Sequence, residues 1–274
     1  MELRALEARR ARLHFIEWRD RFARTPKTAD DYLGALSIVI QWAFDRGEVA
    51  KNPIQNFPRI YRSNRAEMIW EPHHLATLLA HCDPRFTSVI RVAVLTGLRL
   101  GDLRRLPWTA VKEKSIVLQT GKSNGRRTVS VPITQELQGV LDAIPRSASV
   151  TVLNSRRGRP WSEPGIESAM QRAKRDALAA ALTAGRNSSG IEGLRFHDLR
   201  GTAATNFVRA GVEIDAVAMI LGWKLGRVDE VARRYITDEE RVLVVANRLR
   251  QNEERTEIVN SPVNRGYGGA SGTG

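Results

Sequence analysis

The sequence predicts a mostly α-helical protein with one small antiparallel β region, an α+β fold. Apolar residues recur at three- and four-residue spacing through much of the chain, which is the periodicity of helices that bury one face. Two short runs, 115–120 and 128–131, flank Asn124-Gly125, the strongest short-range signal for a β-hairpin. The 274 residues are 42% hydrophobic, which is enough for a substantial core.

The first helices are expected before residue 57. Residues 2–24 are rich in Ala, Leu, Arg and Glu at helical spacing, and a second helix is expected from Thr28. Gly47 ends this helix, and Pro53 stops any continuation. Five side chains of the second helix are expected to be buried: Tyr32, Leu36, Val39, Ile40 and Ala43.

A polar linker is predicted at 58–66, followed by a second domain at 67–250. The linker carries three arginines that suit backbone phosphates: Arg59, Arg62 and Arg65. The second domain is expected to hold the hairpin and seven helices, at 72–82, 85–96, 99–106, 163–184, 197–210, 213–221 and 238–250. Residues 251–274 become rich in Gly, Ser, Asn and Thr, which indicates a disordered tail.

The charge balance favours a polyanionic partner. Lys and Arg number 43 against 30 acidic residues, a net charge of +13, and each phosphate that a protein neutralises releases condensed counterions. A generally basic proteome would give the same balance, so charge alone leaves both interpretations open. The single cysteine, Cys82, excludes an internal disulfide. Without an apolar signal core or membrane-length run, the expected location is cytoplasmic.

Five short motifs follow one another along the second domain. They are TGLRLGDL at 96–103, GKSNGRR at 121–127, HDLR at 197–200, LGW at 221–223 and RRY at 233–235. His197 and Arg200 are three residues apart, so on a helix they share a face and can converge on one anionic group. A phosphate fits that description.

Together these motifs resemble the catalytic domain of the tyrosine recombinases, the phage-integrase family, over roughly residues 26–250. The resemblance implies a site-specific recombinase that cuts and rejoins duplex DNA through a 3′-phosphotyrosine, with no metal and no cofactor. It also implies a homo-oligomer, a tetramer, on paired DNA sites, with accessory DNA-bending proteins and a nucleoid location. Residues 1–57 would then be a shortened helical core-binding domain of the SAM-like type.

By this resemblance, Arg99 and Arg200 clamp the scissile phosphate, because a planar guanidinium matches phosphate oxygens in pairs. Asp102 is expected to orient Arg99. A surface arginine paired with Asp102 is the structural alternative for Arg99.

Lys122, at the mouth of the hairpin, is identified by the resemblance as the general acid, with a solvated turn lysine as the alternative. His197 is the general base or a phosphate donor, since its ordinary pKa suits proton transfer near neutrality. Arg126 and Arg127 of the same hairpin are expected to contact DNA.

Tyr235 is the candidate nucleophile, and Trp223 stands where many family members have histidine. An indole N–H can donate a hydrogen bond to phosphate but cannot transfer a proton. Tyr235 follows Trp223 by 12 residues, longer than the commonest family spacing, and loop closure tolerates that length.

Two other functions are compatible with the same sequence. A decayed integrase that only binds DNA would keep the same motifs, and topoisomerase-like relaxation could use the same residues. The group His73, His74, His81 and Cys82 lacks the paired spacing of a zinc site, so no metal is expected there.

Overall fold

The protein is described here from a computed structural model. Residues 3–61, 68–121, 128–146 and 149–223 are described, together with 226, 228, 229, 233, 242, 245, 246, 249 and 250. The chain divides into two compact units, 1–64 and 65–274. Within the described part of the chain, none of the helices has both the length and the apolar character needed to cross a bilayer.

The first unit contains a 3₁₀ turn, Leu3–Glu7, and the helices α1 (Ala11–Asp20) and α2 (Pro26–Phe44). Proline suits the first position of α2, since its fixed φ is helical and its missing N–H would have had no partner there. The unit's core lies between the 3₁₀ turn, α2 and the turns that follow α2: Leu6, Leu33, Ile40, Val49 and Ile54.

The predicted buried face of α2 is wrong at two positions. Tyr32 and Val39 are 47% and 63% exposed, whereas Leu33 is fully buried and Ile40 almost so. Tyr32 packs instead against Phe22 of the preceding turn, with ring centroids 5.4 Å apart. Leu33 packs with Ile54 and Val49 in the core of this unit. Which face of α2 is buried therefore depends on residues that follow the helix and not on the periodicity of α2 itself.

A buried ion pair connects α1, α2 and the first residues of the predicted linker. Arg19 and Asp30 are 4% and 3% exposed, with Nη1 and Oδ1 3.8 Å apart. The carboxylate of Asp30 accepts hydrogen bonds from the N–H groups of Ile60 (3.2 Å) and Tyr61 (2.8 Å). Arg19 also donates to the carbonyl of Pro58. Residues 58–61 are therefore held against the two helices.

The second unit begins with three helices, α3 (Pro72–Leu79), α4 (Pro84–Thr96) and α5 (Leu100–Leu103). Asp83 caps α4, because its side chain accepts from the N–H groups of Arg85 and Phe86. Helix α5 is shorter than predicted, and a 3₁₀ turn at Trp108–Ala110 follows it.

The hairpin consists of β1 (Ser115–Gln119) and β2 (Thr128–Pro132), paired from Ser115↔Pro132 to Gln119↔Thr128. These strands agree with the predicted ones to within one residue, and the Asn124-Gly125 turn lies outside the described residues.

Within the continuously described stretches 128–146 and 149–223, four helices follow the hairpin: α6 (Gln135–Asp142), α7 (Glu163–Thr183), α8 (Asp198–Arg209) and α9 (Ile214–Leu221). Helix α6 is absent from the sequence prediction, although Thr134 caps it by accepting from the N–H of Leu137. Helix α4 lies at the centre and packs on α6 and α8, while α9 packs on β2. The mostly α fold with a small antiparallel sheet is confirmed.

Candidate active site

The turn after α4 brings the first predicted arginine to a cleft in the second unit. Gly97 has a φ of 61°, and a Cβ there would lie 2.4 Å from Cδ2 of Leu221 and 3.1 Å from Cβ of Ala203. Glycine alone therefore lets α4 end this close to α8 and α9. Two residues later, Arg99 has extended backbone at the start of α5, and its side chain lines the cleft.

Arg200, on the first turn of α8, joins three elements through its guanidinium. It donates to the carbonyl oxygens of Gly97 and Leu221, and its Cζ lies 5.2 Å from the centroid of the Trp223 ring. The residue is 7% exposed. Burial, and then the charge of Arg99, lowers the pKa of Arg200 to about 9, so it stays charged at neutral pH.

A guanidinium carries five N–H donors in a rigid fork. Two carbonyls accept hydrogen bonds from this fork, and they belong to residues at the ends of α4 and α9. Because both helix ends are fixed by packing, the plane of the guanidinium is fixed as well. Arg200 also lines the cleft. The arrangement presents a preorganised cation whose orientation is set before any ligand binds.

His197 precedes α8 at its N-cap position, on the exposed side of the segment that enters the helix. The Asp198 carboxylate accepts from the N–H of Arg195 at 2.7 Å, which closes the turn around Phe196 and His197. Trp70 donates from its indole Nε1 to the carbonyl of Arg195 at 2.9 Å. The backbone that leads to His197 is therefore held in place by the hydrogen bonds of Asp198 and Trp70.

Trp223 follows α9 after the left-handed Gly222. The backbone N–H of Trp223 donates to the carbonyl of Ala218 at 2.8 Å. This is the bonding of a Schellman-type helix end, and it directs the half-buried indole toward Arg200.

Asp102 is tied to the end of β1. Its Oδ1 accepts from the N–H of Gly121 at 2.9 Å and lies 4.0 Å from Nη2 of Arg105. A Cβ at Gly121 would lie 2.5 Å from that same Arg105 nitrogen. These contacts join Asp102 to Arg105 and to Gly121, the residue before Lys122. That Asp102 orients Arg99 stays a prediction.

One cleft of about 980 Å³ brings four predicted residues together: Arg99, His197, Arg200 and Trp223. Its remaining lining includes Lys174 and Arg195, and three acidic side chains, Glu163, Glu167 and Glu192. Three residues at or near the cleft were not among the predicted ones: Lys174, Arg195 and Trp70. The sequence could have indicated Arg195, because it is a cation two residues before His197. No feature of the sequence indicates Lys174 or Trp70.

Two other predicted site residues that the structure describes, Arg59 and Asp102, do not line this cleft. Arg59 belongs to the first unit, where it lines a cavity beside α2 together with Asp31 and Trp42. Six predicted residues lie outside the described part of the chain: Arg62, Arg65, Lys122, Arg126, Arg127 and Tyr235.

The thiol of Cys82 and the imidazole of His74 lie on or just after α3. Among the described residues, no group of three or more His, Cys, Asp or Glu side chains could hold a metal ion. Burial raises the pKa of the Cys82 thiol to about 12, so the thiol stays protonated at neutral pH. His74 takes part in a capping box with Glu71 at the start of α3.

Residues 70–241, which include all the cleft residues, match the profile of the phage integrase family. The chain belongs to this family. It is 29% identical over 187 residues to the integrase of Salmonella phage P22, covering 68% of this chain and 47% of that protein. The chain thus spans about half the length of the curated relatives it matches. The resemblance to tyrosine recombinases drawn from the motifs is confirmed.

Solved integrases share the fold. The lambda integrase fragment 75–356, crystallised as a dimer bound to a COC′ core site, superposes with a TM-score of 0.65 at 16% identity. The match covers 83% of this chain and 81% of that one. A lambda integrase tetramer bound to a Holliday junction gives a TM-score of 0.60 at 18% identity, covering 78% of this chain and 64% of the other.

Proposed function

We propose that this protein is a site-specific DNA recombinase that cuts and rejoins duplex DNA through a 3′-phosphotyrosine intermediate. The observation that carries the proposal is the joint placement of Arg99, His197, Arg200 and Trp223 in one cleft of a phage integrase family chain. The net charge of +13 suits a phosphate backbone as the substrate.

Two guanidinium groups neutralise the scissile phosphate. Arg99 and Arg200 are close enough that the charge of Arg99 contributes to lowering the pKa of Arg200. An anion between them relieves this repulsion, so the arginines favour a phosphate and stabilise the further charge that develops when it is attacked. Trp223 contributes an indole N–H donor and packs beside Arg200.

The reaction is a transesterification with balanced proton transfers. The Tyr235 phenol oxygen forms a bond to phosphorus and the bond to the 5′ oxygen breaks, leaving the phosphate on the tyrosine at the 3′ end. His197 accepts the phenol proton as general base, and Lys122 supplies a proton to the departing 5′ oxygen. The reverse attack by a 5′ hydroxyl rejoins the strand, so the bond energy is kept and no nucleotide cofactor is needed.

Five further arginines are proposed to bind DNA backbone around the cut: Arg59, Arg62, Arg65, Arg126 and Arg127. They precede the catalytic domain or follow Lys122 in the sequence between the two strands, and their role would be positioning through phosphates and not base recognition.

We also propose assembly on paired sites. Val242, Val245 and Leu249 are helical and 67%, 56% and 57% exposed, a stripe that a neighbouring copy can cover. The related lambda integrase crystallised as a dimer on a core site and as a tetramer on a junction. Sedimentation with paired DNA sites, before and after removal of residues 239–274, tests whether the stripe is the contact.

The deciding experiment is a covalent trap. The probe is a pool of nicked duplexes of random sequence, in which the short strand beyond the nick diffuses away after cleavage. The wild-type protein is expected to form a denaturation-resistant adduct with DNA. Tyr235→Phe, which removes one hydroxyl, should form none while keeping DNA affinity within a few fold.

Tyr61→Phe serves as the matched control and should behave as wild type. An adduct that persists in Tyr235→Phe would show that another residue is the nucleophile. DNA binding with no adduct in the wild type would instead favour the non-catalytic DNA-binding alternative.

A further inference from the structure

Lys174 reaches from the middle of α7 to the segment that leads into α8. Its Nζ donates to the backbone carbonyl of Glu192 at 2.6 Å and to that of Leu194 at 2.8 Å. Both are charge-assisted hydrogen bonds, which are stronger than neutral ones. The lysine is half-buried and lines the cleft that holds Arg99 and His197.

The segment 188–197 has no regular hydrogen-bond ladder, so side chains hold it in place. At its start, the Glu192 carboxylate accepts from Ser189 N–H (2.6 Å), Ser189 Oγ (2.8 Å) and Ser188 Oγ (2.9 Å). At its end, Asp198 and Trp70 bind the N–H and the carbonyl of Arg195. Lys174 binds the stretch between these two ends.

The side chains of this stretch alternate in their environment. Leu194 and Phe196 are 5% and 7% exposed in the core, while Arg195 and His197 are exposed and line the cleft. A displacement of the Leu194 carbonyl would therefore be passed through Arg195 and Phe196 to the backbone of His197. Three peptide units separate the two positions.

We propose that Lys174 is a positioning residue that sets the place of His197 by holding the carbonyls of Glu192 and Leu194. It acts through main chain and does not bind a DNA phosphate, although it lines the cleft. This inference rests on the proposed recombinase function for its kinetic consequence, and on geometry alone for the tether itself.

The tether is tested first by amide hydrogen exchange on the full chain without DNA. Lys174→Met keeps the aliphatic stem and removes both hydrogen bonds. Exchange at residues 192–198 should then accelerate by at least ~10-fold, since the local opening free energy falls. Lys174→Arg keeps donors and should restore part of the protection.

Arg175→Met is the matched control. Arg175 is the next residue on α7, its side chain is 72% exposed, and its ion pair is with the adjacent Asp176. This variant should leave exchange at 192–198 unchanged. Unchanged exchange in Lys174→Met would overturn the proposal, whatever the protein does to DNA.

The kinetic test uses single-turnover cleavage of a nicked duplex that the wild type cuts. Lys174→Met should lower the rate at saturating DNA by ~10²-fold, the scale that a misplacement of about 1 Å produces. The slope of log affinity against log salt should not change. A phosphate ligand would instead lower that slope by about 0.9, which would overturn the positioning role.

A double-mutant cycle then separates positioning from a general loss of structure. If Lys174 acts through His197, Lys174→Met should change the rate by less than ~2-fold in a His197→Ala background. An undiminished effect there would place its action elsewhere. If the wild type cleaves no DNA, the recombinase proposal fails while the exchange experiment still decides the tether.

Discussion

Substitution of Gly97 by alanine probes the contact on which the cleft depends. The residue has a φ of 61°, and its new Cβ would lie 2.4 Å from Cδ2 of Leu221 and 3.1 Å from Cβ of Ala203. A left-handed conformation costs an L residue about 1–2 kcal/mol, and overpacking of a core adds about 1–3 kcal/mol. The free energy of unfolding should therefore fall by about 2–5 kcal/mol.

Gly185→Ala measures the cost of the left-handed backbone conformation alone. Gly185 has a φ of 73° with no atom within 4 Å of the added Cβ, so this variant should lose only about 1–2 kcal/mol. Urea unfolding of both variants, followed by far-UV circular dichroism, measures the difference. Equal losses would refute the steric reasoning.

The same pair of variants separates stability from catalysis. Leu221, which the new methyl group displaces, supplies one of the two carbonyls that hold Arg200, and residue 97 supplies the other. Gly97→Ala should therefore slow cleavage at temperatures where it is still folded, whereas Gly185→Ala should cleave at the wild-type rate.

Two further outcomes are expected. Arg200→Lys should lower the cleavage rate by at least ~10²-fold. The reason is that an ammonium group cannot bind both carbonyls in one plane, as a guanidinium does, and also pair with a phosphate. The control is Arg175→Lys, on the exposed face of α7. Unfolding at several pH values tests Glu192, whose pKa is lowered to about 2 chiefly by the N–H of Ser189.

The sign of the Glu192 effect follows from this lowered pKa. A carboxylate that is more acidic in the folded state stabilises it above the ordinary value of 4.5, and the contribution disappears as the pH falls toward about 2. The stability difference between wild type and Glu192→Gln should therefore shrink over that range. A difference that stays constant would contradict the hydrogen-bonded carboxylate.

Near-wild-type cleavage by Arg200→Lys would likewise show that the two carbonyl contacts are dispensable. Its unfolding curve, compared with that of Arg175→Lys, measures how far the loss is catalytic.

The long helices were predictable from the sequence because their signals are local. Helices α7, α8 and α9 were predicted to within one residue at each end, and Ser162 caps α7 by accepting from the N–H of Gly165. The eight residues of α6 were missed because only Leu137, Val140 and Leu141 are buried along it. So short a pattern does not distinguish a helix from a loop.

The site was predictable only where side chains form a motif. Four residues of the cleft belong to the short motifs that follow one another along the sequence: Arg99, His197, Arg200 and Trp223. The fold brings them together in one cleft. Lys174 and Trp70 contact main-chain carbonyls 20 and 125 residues away in sequence. A carbonyl is present at every residue, so such a contact leaves no trace in the pattern of side chains.

The buried pair Arg19 and Asp30 bears on how the protein can be divided for experiments. A fragment that stops at residue 57 would remove the N–H groups of Ile60 and Tyr61 and leave the Asp30 carboxylate short of donors inside the fold. A charged group buried without its hydrogen bonds costs more than the ~1–3 kcal/mol of a neutral one, a large fraction of what so small a unit can supply. The helical unit should therefore be produced with residues 58–61 attached, and those residues serve its folding even though their composition is that of a linker.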